Sequence, residues 1–221
     1  MMSSVMSAAR ELLDSVRAEL APRDAENRLT PLIADGAAPR SVFAAIAAEE
    51  LHIVPSDWRS LHTLAARCDT AAARSYFSGL ASGEEAALAK LAPLAAAAGL
   101  DDDAANAYEP RAGCQAYPAY FAWLALNARP AEVAVALTAN FGAWGTYCAA
   151  IARGMREHYG FDDDACGFFD FFATPLPDDQ AVAVVQAGFD AGTLDRDAAR
   201  RYARLFQSYE LMFWNTLAEP A

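Results

Sequence analysis

The sequence predicts an all-α protein, and three observations carry that prediction. Alanine, the strongest helix former, fills 54 of the 221 positions, while the β-branched Val and Ile that strands favour are sparse. Apolar residues recur at helical spacing, beginning with Val5, Ala8, Leu12, Leu13, Val16 and Leu20. No stretch alternates convincingly as a strand would, and no internal repeat is visible. The expectation is one helical domain over residues 1–221, with about seven to nine helices around a hydrophobic core.

The elements follow in order. Residues 3–20 read as an amphipathic helix. Asn27 to Gly36 reads as a short helix closed by glycine, and Pro39 suits the first turn of the next, through Val42, Phe43, Ile46 and Leu51. Pro55 is placed to bend or end it, and a further helix covers Trp58 to Arg67. Ser82-Gly-Glu-Glu opens a helix that ends at Gly99, and the acidic residues 99–113 form the longest loop. Helices at 115–128 and 130–157 part at Pro130; the second is apolar around most of its circumference and belongs in the middle of a bundle. Phe161 to Pro177 reads as a connector, followed by helices at 179–191 and from Asp195 to Leu217.

Composition also excludes functions. Hydrophobic residues make up 55% and charged ones 21%, enough for a core and outside the range of disordered chains. A formal charge of -12 with a single lysine, Lys90, argues against nucleic acid and anionic membranes as partners. The four cysteines (Cys68, Cys114, Cys148, Cys166) form no C-x-x-C and have no histidine at ligand spacing, which fits a reducing interior. The first 20 residues are broken by charges and lack the apolar run of a signal peptide, and no apolar stretch is built to span a bilayer. The expectation is a soluble, cytoplasmic protein.

The last helix is the most informative segment. Leu205, Phe206, Tyr209, Phe213 and Trp214 define a buried face, and Glu210 sits beside it among aromatics. A carboxylate in such surroundings is paired, neutralised or used, while a solvated glutamate at the seam is the plainer alternative.

The run F-x-S-Y-E-x-x-F-W, here Phe206, Ser208, Tyr209, Glu210, Phe213 and Trp214, resembles the TenA/thiaminase II family, which has the haem-oxygenase-like all-α fold. The segment from Pro31 to Pro39 with Phe43 and an acidic residue seven positions on is similar to that family's first helix pair. Ala119-Tyr120, followed by a long helix with Trp144 and Tyr147, is similar to its central pair. The resemblance implies a pocket for thiamin or an aminopyrimidine, no cofactor and no metal, and a homodimer or homotetramer. It implies Glu210 as the proton-transfer group, Glu50 in place of an aspartate that holds the ring, and Glu49 in place of a glutamine. Tyr120, Tyr147 and Phe172 are implied as pocket residues. The family's cysteine nucleophile, expected four residues before Tyr147, is absent: Ala143 stands there, and a one-residue slip gives Gly142. Ile53 replaces a tyrosine. Cys148 lies about 100° round the helix from Tyr147, and Cys114 and Cys166 read as loop thiols at the ends of central helices. The expectation is therefore acid–base hydrolysis of a C–N bond by Glu50 and Glu210 without a covalent step.

Two other readings stay open. A haem-oxygenase-like di-iron oxidase would use Glu49 with His52, or Glu50 with Asp57, but His52, His62 and His158 are too few histidines for its usual ligand set. Asp57 reads most simply as a helix start. A non-catalytic ligand-binding protein on the same fold would also lose the nucleophile. Phe168, Phe169, Phe171 and Phe172 serve either as core or as pocket wall.

Overall fold

Ten helices make up the computed structural model, which describes residues 7–23 and 25–219; among these residues there is no strand. α1 (Ala8–Glu19) starts at Ser7, whose hydroxyl accepts the Arg10 N–H, and it buries Leu12, Leu13 and Val16. Positions 3–6 of the expected helix lie outside the described residues. α2 (Leu29–Ala34) is held by Asn27, whose side-chain oxygen accepts the N–H groups of Leu29 and Thr30.

α3 (Ser41–Ala66) does not end at Pro55, where the sequence allowed a bend or an end, so the separate helix expected from Trp58 to Arg67 is its second half. An interior proline costs about 3 kcal/mol. The apolar stripe that spans it (Ile46, Ile53, Val54, Leu61, Leu64) is buried along the whole length, and burying each such side chain contributes about 1.5–3 kcal/mol. α4 (Ala71–Ala98) begins at Thr70, whose hydroxyl caps Ala73, and not at Ser82; it ends as expected at Gly99, with φ +78°. Burial of Tyr76, Phe77 and Ala81 extends it backwards.

α5 (Asp102–Ala107) is a short helix within the expected loop. α6 (Ala112–Asn127) and α7 (Pro130–Tyr159) part where Pro130 predicted. The segment read as a connector contains α8 (Asp163–Ala173), capped by Asp162. Its acidic residues, Asp163 and Asp164, stand in the first turn, where the helix dipole favours negative charge. α9 (Asp179–Asp190) and α10 (Arg196–Leu217) match their expected ranges, with Asp195 capping α10.

α3 pairs with α4, and α6 pairs with α10. α7 is the central helix, with Val133, Val135, Leu137, Ile151 and Met155 buried, and it packs on α10, α8, α9, α2 and α1. Gly154 lets it lie directly on α2: a Cβ there would come within 2.6 Å of the Ile33 carbonyl oxygen. Neither α3 nor α4 is packed closely against α7. That gap holds the candidate site.

Candidate functional site

A cavity of about 50 Å³ lies between α3, α4, α6, α7, α8 and α10. A cavity needs about 10–15 Å³ to hold one water and about 150 Å³ to admit benzene, so this one has room for a few waters or the edge of a ring. Its apolar wall is Ile53, Val54, Phe141, Trp144, Phe172 and Phe213; its polar groups are Glu50, Asp57, Glu84, Tyr117, Asn140 and Glu210. None of these lining residues is cationic.

Helical spacing explains how the carboxyls converge. Ile46, Glu50, Ile53 and Asp57 form one stripe on α3, and Phe206, Glu210 and Phe213 form one on α10, so each acid shares a face that apolar burial already turns inward. Glu210 is buried and held at both oxygens. The Trp214 indole N–H donates to one at 3.1 Å, and the Asn140 amide donates to the other. Burial pushes its pKa up to about 8, against the pull of those two donors toward the ionised form.

Glu50 is also buried, but it accepts no hydrogen bond from a described residue. Burial, and then the charges of Glu84 and Glu49, hold its carboxyl well above the usual range. Asp57 is likewise raised by burial and then by Glu84 and Glu50, against the pull of a hydrogen bond with Tyr117, and its Oδ1 is buried without a partner. Burial lifts Glu84 to about 8. The Tyr117 phenol is driven upward by burial and then by Asp57, Glu84, Glu210 and Glu50 together, which places it among all four acids. Several of these carboxyls therefore hold protons at neutral pH.

The cavity opens toward a much wider cleft, about 1280 Å³, between α4 and α7 and bounded by α8 and the segment after it. Glu84, Phe141, Trp144 and Phe172 line both.

Comparison with known proteins adds the lineage. A family profile described as TENA/THI-4/PQQC matches residues 28–166, well over half of the chain. The chain belongs to the TENA/THI-4/PQQC family. Among solved structures it is similar to a TenA homolog from Pseudomonas syringae pv. tomato, at a TM-score of 0.74 and 11% identity, covering 95% of this chain and 92% of that one. A TenA homologue from P. horikoshii gives 0.67 and 15%, covering 95% of each chain. A domain of unknown function with a heme oxygenase-like fold from Shewanella denitrificans gives 0.67 and 12%, covering 95% of this chain and 88% of that one. The fold is thus haem-oxygenase-like. No curated protein matches the chain by sequence.

Within this TENA/THI-4/PQQC chain, Glu50, Glu210 and Phe172 come together at the cavity as the sequence suggested. Tyr120 does not. It lies one turn further along α6 and packs against Tyr209, with ring centroids 4.9 Å apart, and its hydroxyl is buried without a partner. Tyr117 holds the place expected of it. Tyr147 is buried against Trp214 with 6.1 Å between centroids and is not a lining residue. Ala143 is buried off the cavity wall, and Gly142 lines the wide cleft. The α7 residue that touches Glu210 is Asn140, with Trp144 one turn on.

Cys114 and Cys166 are buried within α6 and α8 instead of in loops, and burial pushes their thiols up, that of Cys166 to about 11. Phe168 and Phe169 are core, whereas Phe171 and Phe172 line the cleft. His52 is exposed while Glu49 is buried, so that pair does not converge. Among the described residues no three His, Cys, Asp or Glu side chains are grouped to hold a metal ion. No described helix is long and apolar enough to cross a membrane.

Glu84, Tyr117 and Asn140 escaped the sequence reading, and Asp57 entered it only as a helix start or as a metal ligand beside Glu50. Glu84 had a usable signal, because Phe77, Ala81, Glu84, Ala87 and Leu91 continue one face once α4 begins at Ala71.

Proposed function

We propose that this protein binds a small planar nitrogen heterocycle of the aminopyrimidine type and hydrolyses a C–N bond on it by acid–base catalysis. The observation that carries the reading is the pairing of two differently treated buried glutamates at one aromatic-lined cavity that opens to a wider cleft, in a chain of the TENA/THI-4/PQQC family. Glu210, gripped by two N–H donors, is the more easily ionised and acts as the base. Glu50, with no donor to favour its charge, keeps its proton and acts as the acid.

In the reaction Glu210 takes a proton from a water molecule, the water oxygen bonds to the substrate carbon, and the C–N bond breaks as Glu50 delivers a proton to the departing nitrogen. Water is consumed and an amine is released. Phe172 and Trp144, whose rings meet edge to face with centroids 5.8 Å apart, form one aromatic wall for the ring, and Tyr117 orients it. On α7 the side chains that reach the cavity are Asn140, Phe141 and Trp144, and none is a nucleophile. With Ala143 at the position the resemblance gives the thiol and no cysteine lining the cavity, the non-covalent route is favoured.

Ammonia release from aminopyrimidines and thiamin breakdown, followed with purified protein, tests the reading. Turnover that falls at least 100-fold in Glu210→Gln and Glu50→Gln, with both variants folded, is the expected result; unchanged turnover in either refutes its role.

A further inference from the structure

The acids at the cavity exceed what the proposed reaction uses. Asp57 is buried, its Oδ1 has no partner, and it faces the cavity beside Glu84. Glu84 in turn stands at the junction, lining both the cavity and the wide cleft. Asp57 has one donor, Tyr117, on its side chain, and the cations of the cleft wall, Arg17 and Arg153, line the cleft but not the cavity, so Asp57 Oδ1 and Glu84 leave acceptor capacity that a ligand bearing positive charge and N–H donors would satisfy.

The cleft beyond is too large for the ring alone, since about 1280 Å³ exceeds the usual 300–1,000 Å³ of a ligand pocket. Its facing walls are bare. Gly79 on α4 and Gly142 on α7 have nothing within 4 Å of where a Cβ would stand. From Phe141 to Arg153 the α7 wall runs for roughly 18 Å at 1.5 Å per residue, and Phe171 and Leu176 supply apolar surface at its rim.

We propose that the ligand is amphiphilic, with a basic nitrogen at the Asp57–Glu84 junction and an apolar body lying in the cleft between α4 and α7. This rests on the cavity being the ligand site, as proposed above, and it extends the substrate class from a lone ring to one carrying a cationic nitrogen and an apolar substituent.

Calorimetry with n-octylamine, n-butylamine and octanoate tests it, with 4-aminopyrimidine as the ring-only probe. Octylamine should bind at least tenfold more tightly than butylamine, and octanoate should bind more weakly than either. Gly142→Phe, whose Cβ meets nothing within 4 Å, should erase the length preference and leave 4-aminopyrimidine binding unchanged; Gly79→Phe on the opposite wall should do the same. Asp57→Asn should weaken octylamine at least tenfold. Equal binding of the two amines, preference for octanoate, or indifference to both phenylalanine variants overturns the inference. Should 4-aminopyrimidine bind and respond to Glu50→Gln while the amines do not discriminate, the ring site stands and the amphiphile falls. Should 4-aminopyrimidine fail to bind while octylamine keeps its length preference, the ring reading falls and the cleft assignment stands. Should Gly142→Phe change the sedimentation mass without altering octylamine binding, the cleft belongs to a second copy of the chain, and the proposal is wrong.

Discussion

Glu49 and Glu50 are neighbours on one helix and both are buried, yet the protein treats them in opposite ways. Glu49 accepts three hydrogen bonds, from the Tyr108 hydroxyl at 2.8 Å, the Arg111 N–H at 2.8 Å and the Gln115 amide at 2.7 Å. It fastens the start of α6 to α3. Glu50, about 100° round the helix, accepts none from a described residue and faces the cavity. A buried carboxylate that is fully partnered does structural work, whereas one left unpartnered is a cost the fold carries for another purpose.

The largest effect that would sharpen this contrast is on stability. Glu49→Ala strands three donors, each costing about 1–3 kcal/mol, so we expect a loss of about 3 kcal/mol or more in urea unfolding. Glu50→Ala strands none and should cost less than half as much. Equal losses would break the distinction.

Catalysis should show the reverse order. Glu50→Gln is expected to lower turnover at least 100-fold while its unfolding midpoint stays put or rises. Removing a positioned acid typically costs about 10²–10⁴-fold.

The pH dependence follows from the same groups. Burial holds Glu210 and Glu84 up at about 8 in the folded chain, against about 4.3 for glutamate in the unfolded chain. Between those values the folded state binds more protons, so their contribution to stability is full below about pH 4 and is lost as pH rises through about 8. Thermal unfolding from pH 5 to 9 should show this decline, and Glu210→Gln should flatten it. Turnover should run the other way and rise as Glu210 ionises near pH 8. Asn140→Ala, which removes a donor that favours the ionised form, should move that limb to higher pH. A limb that stays in place would detach Asn140 from Glu210's titration.

The smallest effect concerns a residue the sequence misplaced. Tyr120→Phe removes a buried hydroxyl that has no partner and should change stability by no more than about 0.5–1 kcal/mol, with turnover unchanged. Tyr117→Phe should alter turnover instead. The opposite pattern would restore Tyr120 to the site.

Those two tyrosines show what the sequence could convey. The fold class was legible throughout, because helix-forming composition and 3.6-residue periodicity are local properties, and α7, α9 and α10 stand where that periodicity put them. Glu210 was legible because its aromatic neighbours lie on the same helix. Pro55 misled because local propensity argues for a break, while burial against other helices, invisible to a local reading, outweighs it. Tyr117 and Tyr120 are separated by a single helical turn, and only the packing of α6 against α10 decides which one enters the cavity. Asn140 was hidden for the same reason: which side of α7 meets Glu210 is set by packing against α10. Asp57 and Glu84 are polar residues on otherwise apolar stripes, and both were read as helix starts.

The most direct test of the account is calorimetric titration of 4-aminopyrimidine into Glu50→Gln and wild-type protein at pH 7, with Glu49→Ala measured on its folded fraction. The account predicts at least a tenfold loss of affinity in Glu50→Gln and near-normal affinity in whatever Glu49→Ala remains folded. Full affinity in Glu50→Gln would contradict it, because the unpartnered Glu50 carboxyl would then have no ligand to meet.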